Sequence, residues 1–166
     1  MKRNIHTLVK VTVAALTCLL FAACEQTSLE PALNTAPGGG TLNTYKAYEL
    51  DSIPGTGGIY GRIVFWKDNV NRTLVQVSVY NTAEGTSYPA ALYSGIAAGG
   101  SATSLLQLYA IDGTKGELST NKFFIIDDKT FYNSLKTYDA HLSIFSGNTL
   151  VSSGDIGKNA EPVEAK

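Results

Sequence analysis

This chain has little of what most catalytic and metal chemistry needs. Only two of its 166 residues are cysteine and two are histidine. Cys18, Cys24 and His6 all lie near the N-terminus, so His141 is the one imidazole in the rest of the sequence. Zinc sites draw three or four protein ligands from Cys, His and carboxylate, and copper favours imidazole and thiolate. One imidazole cannot assemble such a set, so the expectation is no metal and no cofactor. A Ser-His-Asp triad would have to use His141. No serine stands in a G-x-S-x-G turn, however, and Asp139 reads as a strand-edge charge. Adjacent Asp127 and Asp128 lack the D-x-D-x-D-G spacing of a calcium loop and suit a capped turn instead. Clusters of Lys and Arg are missing too, which argues against nucleic acid as a partner. The longest uncharged apolar run, Val11 to Phe21, is 11 residues, well short of the roughly 20 that a spanning helix requires.

That short run has a use of its own. Met1-Lys2-Arg3 through Lys10 is basic, the apolar stretch follows, and Phe21-Ala22-Ala23-Cys24 places small residues before a thiol. This is the order of an export signal with its cleavage site. A cysteine just after the cut resembles the lipobox of bacterial lipoproteins, in which that thiol carries diacylglycerol. Residues 1–23 are therefore expected to be a signal peptide. Cys24 is expected to be the acylated residue, with membrane lipid as its partner and the bacterial cell envelope as its location, most naturally the outer membrane. With Cys18 removed and Cys24 acylated, no disulfide can form. Loss of Lys2, Arg3 and Lys10 with the signal leaves ten basic against fourteen acidic residues, a net charge of −4.

Residues 24–40 carry two prolines and a glycine triplet and read as a disordered linker. Sixteen such residues span about 20–25 Å as a flexible coil. Residues 158–166 are polar and are expected to form a frayed tail. Between them, residues 41–157 read as β structure. Val75, Val77 and Val79 alternate with Gln76 and Ser78. Ile59, Gly61, Ile63 and Phe65 alternate with Tyr60, Arg62, Val64 and Trp66. The polar loop Asp68–Arg72 joins these two runs as a hairpin. Further strands are expected over Leu105–Ile111, Glu117–Ile126, Ala140–Phe145 and Thr149–Ile156, with a short helical turn within Lys129–Lys136. On its alternating pattern His141 lies opposite Ala140, Leu142 and Ile144, facing solvent or a loop. The fold class is all-β, an antiparallel Greek-key-type sandwich.

Several stretches in this order resemble the chordin-type (CHRD) domain, whose fold is similar to the copper/zinc superoxide dismutase sandwich. They are Gly58–Phe65, Asn71–Val79, Tyr88-Pro-Ala-Ala-Leu-Tyr93, Leu108–Gly113, Thr137-Tyr-Asp-Ala-His141 and Leu150–Gly157. The family commonly has Pro-Ala-His-x-His where this chain has Pro89-Ala90-Ala91-Leu92-Tyr93. In the dismutase relatives that histidine pair ligates metal. Ala91 and Tyr93 occupy the matching positions here, so the resemblance implies the sandwich without its metal ligands.

The nine tyrosines and the single tryptophan remain. Tyr60, Arg62 and Trp66 share one strand face and form the first candidate recognition surface, for a protein or glycan. Tyr88 and Tyr93, flanking the altered loop, form the second. The expected function is a lipid-anchored envelope protein with a non-catalytic binding or structural domain. The alternatives are a degenerate dismutase-like metal-binding protein and, third, a glycan-active enzyme, which would need two carboxylates about 5–10 Å apart in a cleft.

Overall fold

The computed structural model describes residues 42–99, 102–115 and 122–164. The expected signal, Cys24 and the linker lie outside these residues. The strands are β1 (Thr44–Ser52), β2 (Tyr60–Lys67), β3 (Thr73–Tyr80), β4 (Ser87–Tyr88), β5 (Ala90–Ser94), β6 (Ser104–Gln107), β7 (Ile111–Asp112), β8 (Phe124–Ile126), β9 (Asp139–Ser146) and β10 (Thr149–Gly157). The short helix α1 (Phe131–Ser134) runs into a 3-10 turn, Leu135–Thr137, where the helical turn was expected. Eight strands are hydrogen-bonded in the order β6-β5-β9-β10-β1-β2-β3-β8, and β4 pairs with β7. All ladders among the described residues are antiparallel. The fold is all-β, as the alternation implied.

β1 is where the eight-stranded order folds over. It pairs with β2 from Thr44↔Lys67 to Leu50↔Gly61, but with β10 only at Asp51↔Ser153 and Ser52↔Ser152. Just past that short seam a Cβ on Gly154 would land on the Glu49 carbonyl oxygen, so only glycine lets the two backbones approach there. Folding at β1 brings the inner faces of two groups of strands together. Ile63 and Phe65 of β2 and Val75, Val77 and Val79 of β3 share one core with Leu92 of β5, Leu142 and Ile144 of β9 and Ile156 of β10. Each such side chain, fully buried, contributes about 1.5–3 kcal/mol relative to leaving it in water.

The expected solvent face of β2 and β3 is also covered in part. Leu42, Ala47, Val64, Trp66 and Leu74 form a second cluster, against which Phe123 and Val163 pack. Period-two alternation tells the two faces of a strand apart but not whether a later segment returns to cover the outer one. Here the segment is the one expected to fray. The Val163 amide bonds the Ala47 carbonyl at 2.8 Å, the Lys158 amide bonds the Tyr138 carbonyl at 3.0 Å, and Lys158 pairs with Asp139 at 2.8 Å. Residues 158–163 are thus docked on the sandwich. The expected single strand Leu105–Ile111 is interrupted: β6 stops at Gln107, the Leu108 amide turns to the Ala90 carbonyl, and Ile111 pairs instead with Tyr88. Of the strand expected over Glu117–Ile126, the described residues form only β8, and residues 116–121 lie outside them.

The β2–β3 loop shows how a hairpin closes around a carboxylate. Asp68 Oδ1 accepts from the Val70 and Arg72 amides at 3.0 and 2.7 Å, and Oδ2 accepts from Arg72 Nε at 2.7 Å. Asn71 takes the left-handed conformation that lets the chain turn back (φ 66°), a region asparagine tolerates better than most residues. Burial acts to raise the Asp68 pKa, but the bonds from Arg72 and Val70 and the Arg72 charge outweigh it and hold the carboxyl below its usual range. A depressed folded-state pKa stabilises the fold above the unfolded value of about 3.9 and loses that contribution as pH falls through the folded value. Asp68→Ala is expected to cost about 2 kcal/mol at neutral pH. The difference between variant and parent in denaturant melts should shrink as the pH drops below about 4.

Candidate functional site

The first candidate surface lies on the outer face of β2 and β3, and the register there is set by the hairpin. Tyr60 stands opposite Tyr80, and Arg62 opposite Ser78 on one side and Glu49 on the other. The Tyr60 and Tyr80 rings are stacked, with centroids 5.3 Å apart and planes 28° apart. Arg62 Nη2 donates to the Tyr80 hydroxyl at 3.4 Å. Arg62 Nε and Ser78 Oγ are buried without a hydrogen-bond partner. Leaving such a donor buried and unpaired costs about 1–3 kcal/mol, a cost that a ligand oxygen close to the guanidinium would offset. Tyr60 itself is 49% exposed. One tyrosine pair, one guanidinium and one hydroxyl are therefore gathered at the end of β2 where the strand begins.

Trp66 does not belong to that surface. It is buried in the second cluster at the other end of β2, with Tyr45 tilted against it at 5.1 Å. It shares a face with Tyr60 and Arg62, as the alternation implied, but Leu42, Val163 and its own neighbours withdraw it from solvent. Tyr88 is corrected as well. It is buried in the main core, and its hydroxyl accepts from the Ala83 amide at 2.9 Å. Tyr93 stands on β5 in the eight-stranded sheet, outside that core, so the two tyrosines do not form one surface.

Tyr93 meets His141 instead. These residues are in register across β5 and β9, and their rings stack at 5.7 Å and 21°; Phe145 meets Tyr93 edge-on at 6.4 Å. His141 is buried rather than turned to solvent, because Tyr93 covers it and a loop closes over its edge. Its Nδ1 lies 3.0 Å from the Gly95 carbonyl, which fixes that nitrogen as the donor of the pair. Asn159 Nδ2 reaches the same carbonyl at 3.4 Å and Asp139 Oδ1 at 2.9 Å. Asp155 of β10 stands opposite His141 in register, but its Oδ1 accepts from the Ala97 amide at 2.6 Å. Ala91 pairs with Ser143. Of the two altered positions, Tyr93 meets His141 with a phenol, whereas Ala91 faces Ser143 with a methyl group. No set of three His, Cys, Asp or Glu residues among the described residues is grouped to hold a metal ion.

The carboxylates behave as turn and edge groups. Asp128 Oδ1 accepts from the Thr130 amide and hydroxyl at 2.8 and 2.7 Å, and these bonds hold its pKa below the usual value. The bonds from Lys158 and Asn159 do the same for Asp139. Tyr80 is the participant that strand alternation alone did not single out. Closing the Asp68–Arg72 loop so that Lys67 pairs with Thr73 sets Tyr60 opposite Tyr80, so the hairpin register held that signal. Compared with known family models, curated proteins and solved structures, the chain matches none.

Proposed function

We propose that this chain is an exported envelope lipoprotein, held to a bacterial membrane by lipid on Cys24, whose CHRD-like β domain binds a partner without catalysing a reaction. The anchor is supported by the basic start, the short apolar run and the Ala22-Ala23-Cys24 sequence. The observation that carries the binding reading is the Tyr60–Tyr80 stack, with Tyr60 half exposed, beside Arg62, whose Nε is buried and unpaired. Flat rings next to a guanidinium suit a sugar ring or the planar side chain of a protein, where apolar stacking supplies area and the cation supplies direction. The Tyr93–His141 stack is a covered structural contact in this reading, and the acids serve turns.

The test is binding of the purified full-length protein to isolated envelope polysaccharides and envelope protein fractions. Tyr60→Ala is expected to weaken the retained interaction by about tenfold or more, in line with aromatic anchors at interfaces, with melting unchanged because Tyr60 is half exposed. Tyr109→Ala, another exposed tyrosine, should leave binding intact. Equal loss in both variants, or no binding in either fraction, would count against this surface.

A further inference from the structure

The outer face of β2 and β3 carries more at its Tyr60 end than rings and a guanidinium. Glu49 of β1, Arg62 of β2 and Ser78 of β3 form one row across three strands, and Tyr60 and Tyr80 form the next row toward the start of β2. Glu49 is exposed. It takes part in neither ion pair among the described residues, which are Arg72–Asp68 and Lys158–Asp139. Opposed residues start about 4.5–5.5 Å apart at Cβ, and rows two residues apart are separated by roughly 6.6–6.8 Å. A ring resting on Tyr60 therefore has both a carboxylate and a guanidinium along one edge.

The charges on this face exclude one class of ligand. In the outward phase the three strands carry Glu49, Asp51 and Arg62, two carboxylates against one cation. Lys46 and Lys67 take the opposite phase, with Nζ atoms 4.9 and 6.0 Å from the centre of the Tyr132 ring. A uronate or phosphate on Tyr60 would gain Arg62 but face both acids. A neutral sugar meets no such conflict. Each of its hydroxyls donates and accepts, whereas a carboxylate only accepts and a guanidinium only donates. Adjacent hydroxyls can thus satisfy Glu49 and Arg62 together while the C–H face of the ring lies on Tyr60. A protein anchor is served less well, because interface hot spots sit among further packed contacts that exclude water. The other exposed large apolar side chain of these strands, Tyr45, stands at their far end, opposite Trp66.

We infer that the Tyr60 surface recognises a neutral sugar of a polysaccharide. Tyr60 is the platform, Glu49 accepts from the sugar hydroxyls and Arg62 donates to them. The inference rests on the binding surface proposed above and narrows its ligand to one chemical class.

The test measures binding of full-length protein to three preparations: envelope polysaccharide that passes through an anion exchanger, the polysaccharide that the exchanger retains, and envelope protein. The unretained, neutral pool is expected to bind, with little change as salt is raised, because no ion pair spans the interface. Tyr60→Ala should weaken that binding about tenfold and Glu49→Gln about fivefold. Glu49 is exposed and outside any ion pair, so Glu49→Gln should melt as the parent does. The sign of its effect separates the ligand classes, since with an acidic glycan the same change would remove a repulsion and strengthen binding. Stronger binding by Glu49→Gln would overturn the neutral sugar and leave the Tyr60 surface standing. So would Tyr60-dependent binding confined to the retained polysaccharide or to the protein fraction. Neutral-pool binding that Glu49→Gln leaves intact would overturn the assignment of Glu49 and with it the inference. Absence of Tyr60-dependent binding in all three preparations would overturn the surface itself.

Discussion

Cys24→Ser protein is expected in the soluble fraction of lysed cells, whereas the parent sediments with membrane and is released only by detergent. On the lipoprotein reading proposed above the expected effect is close to complete, because acyl chains on Cys24 would be the attachment. Each buried methylene contributes about 0.8 kcal/mol, one acyl chain holds a protein only marginally, and two or more make the attachment effectively permanent. Serine presents an oxygen where the thiol stood and would not take the lipid. Mass spectrometry gives the complementary reading: the purified parent should carry acyl mass on a chain beginning at Cys24. A parent protein recovered from detergent-free supernatant, or one with an unmodified N-terminus, would end the lipoprotein reading.

Gly154→Ala is expected to destabilise the domain strongly. The new Cβ would meet the Glu49 carbonyl oxygen and carbon and the Leu50 Cδ2 atom. Two of these contacts are backbone, so no rotamer change relieves them. Inserting one methyl into a tight core commonly costs about 1–3 kcal/mol, occasionally more, and this one falls where β1 and β10 part company. Against a total stability of about 5–15 kcal/mol for a domain, the loss should appear as a clearly lowered denaturation midpoint or as insoluble protein. Gly147→Ala offers the comparison: no atom lies within 4 Å of its Cβ, and the cost there is confined to the turn's positive φ of 57°. If Gly154→Ala melts within about 0.5 kcal/mol of the parent, a margin typical of neutral surface changes, the two strands do not approach as described.

The β2–β3 hairpin was legible because its residues agree at every level. Valines alternate in Val75, Val77 and Val79, a polar loop intervenes, and Ile63 and Phe65 answer across the ladder. What alternation does not convey is the covering of an outer face by residues distant in the chain. Trp66 belongs to the face of Tyr60 by phase, but Leu42 and Val163 lie over it from either end of the domain. His141 lies on the outward side of β9, where alternation leaves solvent or a loop to face it; the loop carrying Gly95 does so, and the Tyr93 ring adds a cover that alternation does not convey. β6 and β7 read as one strand because Leu108 is apolar, although its amide turns to Ala90 and breaks the ladder. The meeting of two lysines over one ring was out of reach for a similar reason. Lys46 and Lys67 are 21 positions apart, and what unites them is a ring on a helical turn more than sixty residues later.

The place of β1 has a mechanical consequence. Tension applied to the chain ahead of β1 would enter the described domain near Thr44 and run along the strand. Antiparallel hydrogen bonds lie perpendicular to their strands, so the seven registered pairs between β1 and β2 bear such a load together, in shear. The seam with β10 and the Val163–Ala47 bridge grip the strand from its other side. A terminal strand lying at an open edge would peel away pair by pair under the same tension. This one is clamped on both sides, so tension at Thr44 should meet the whole ladder before the fold frays.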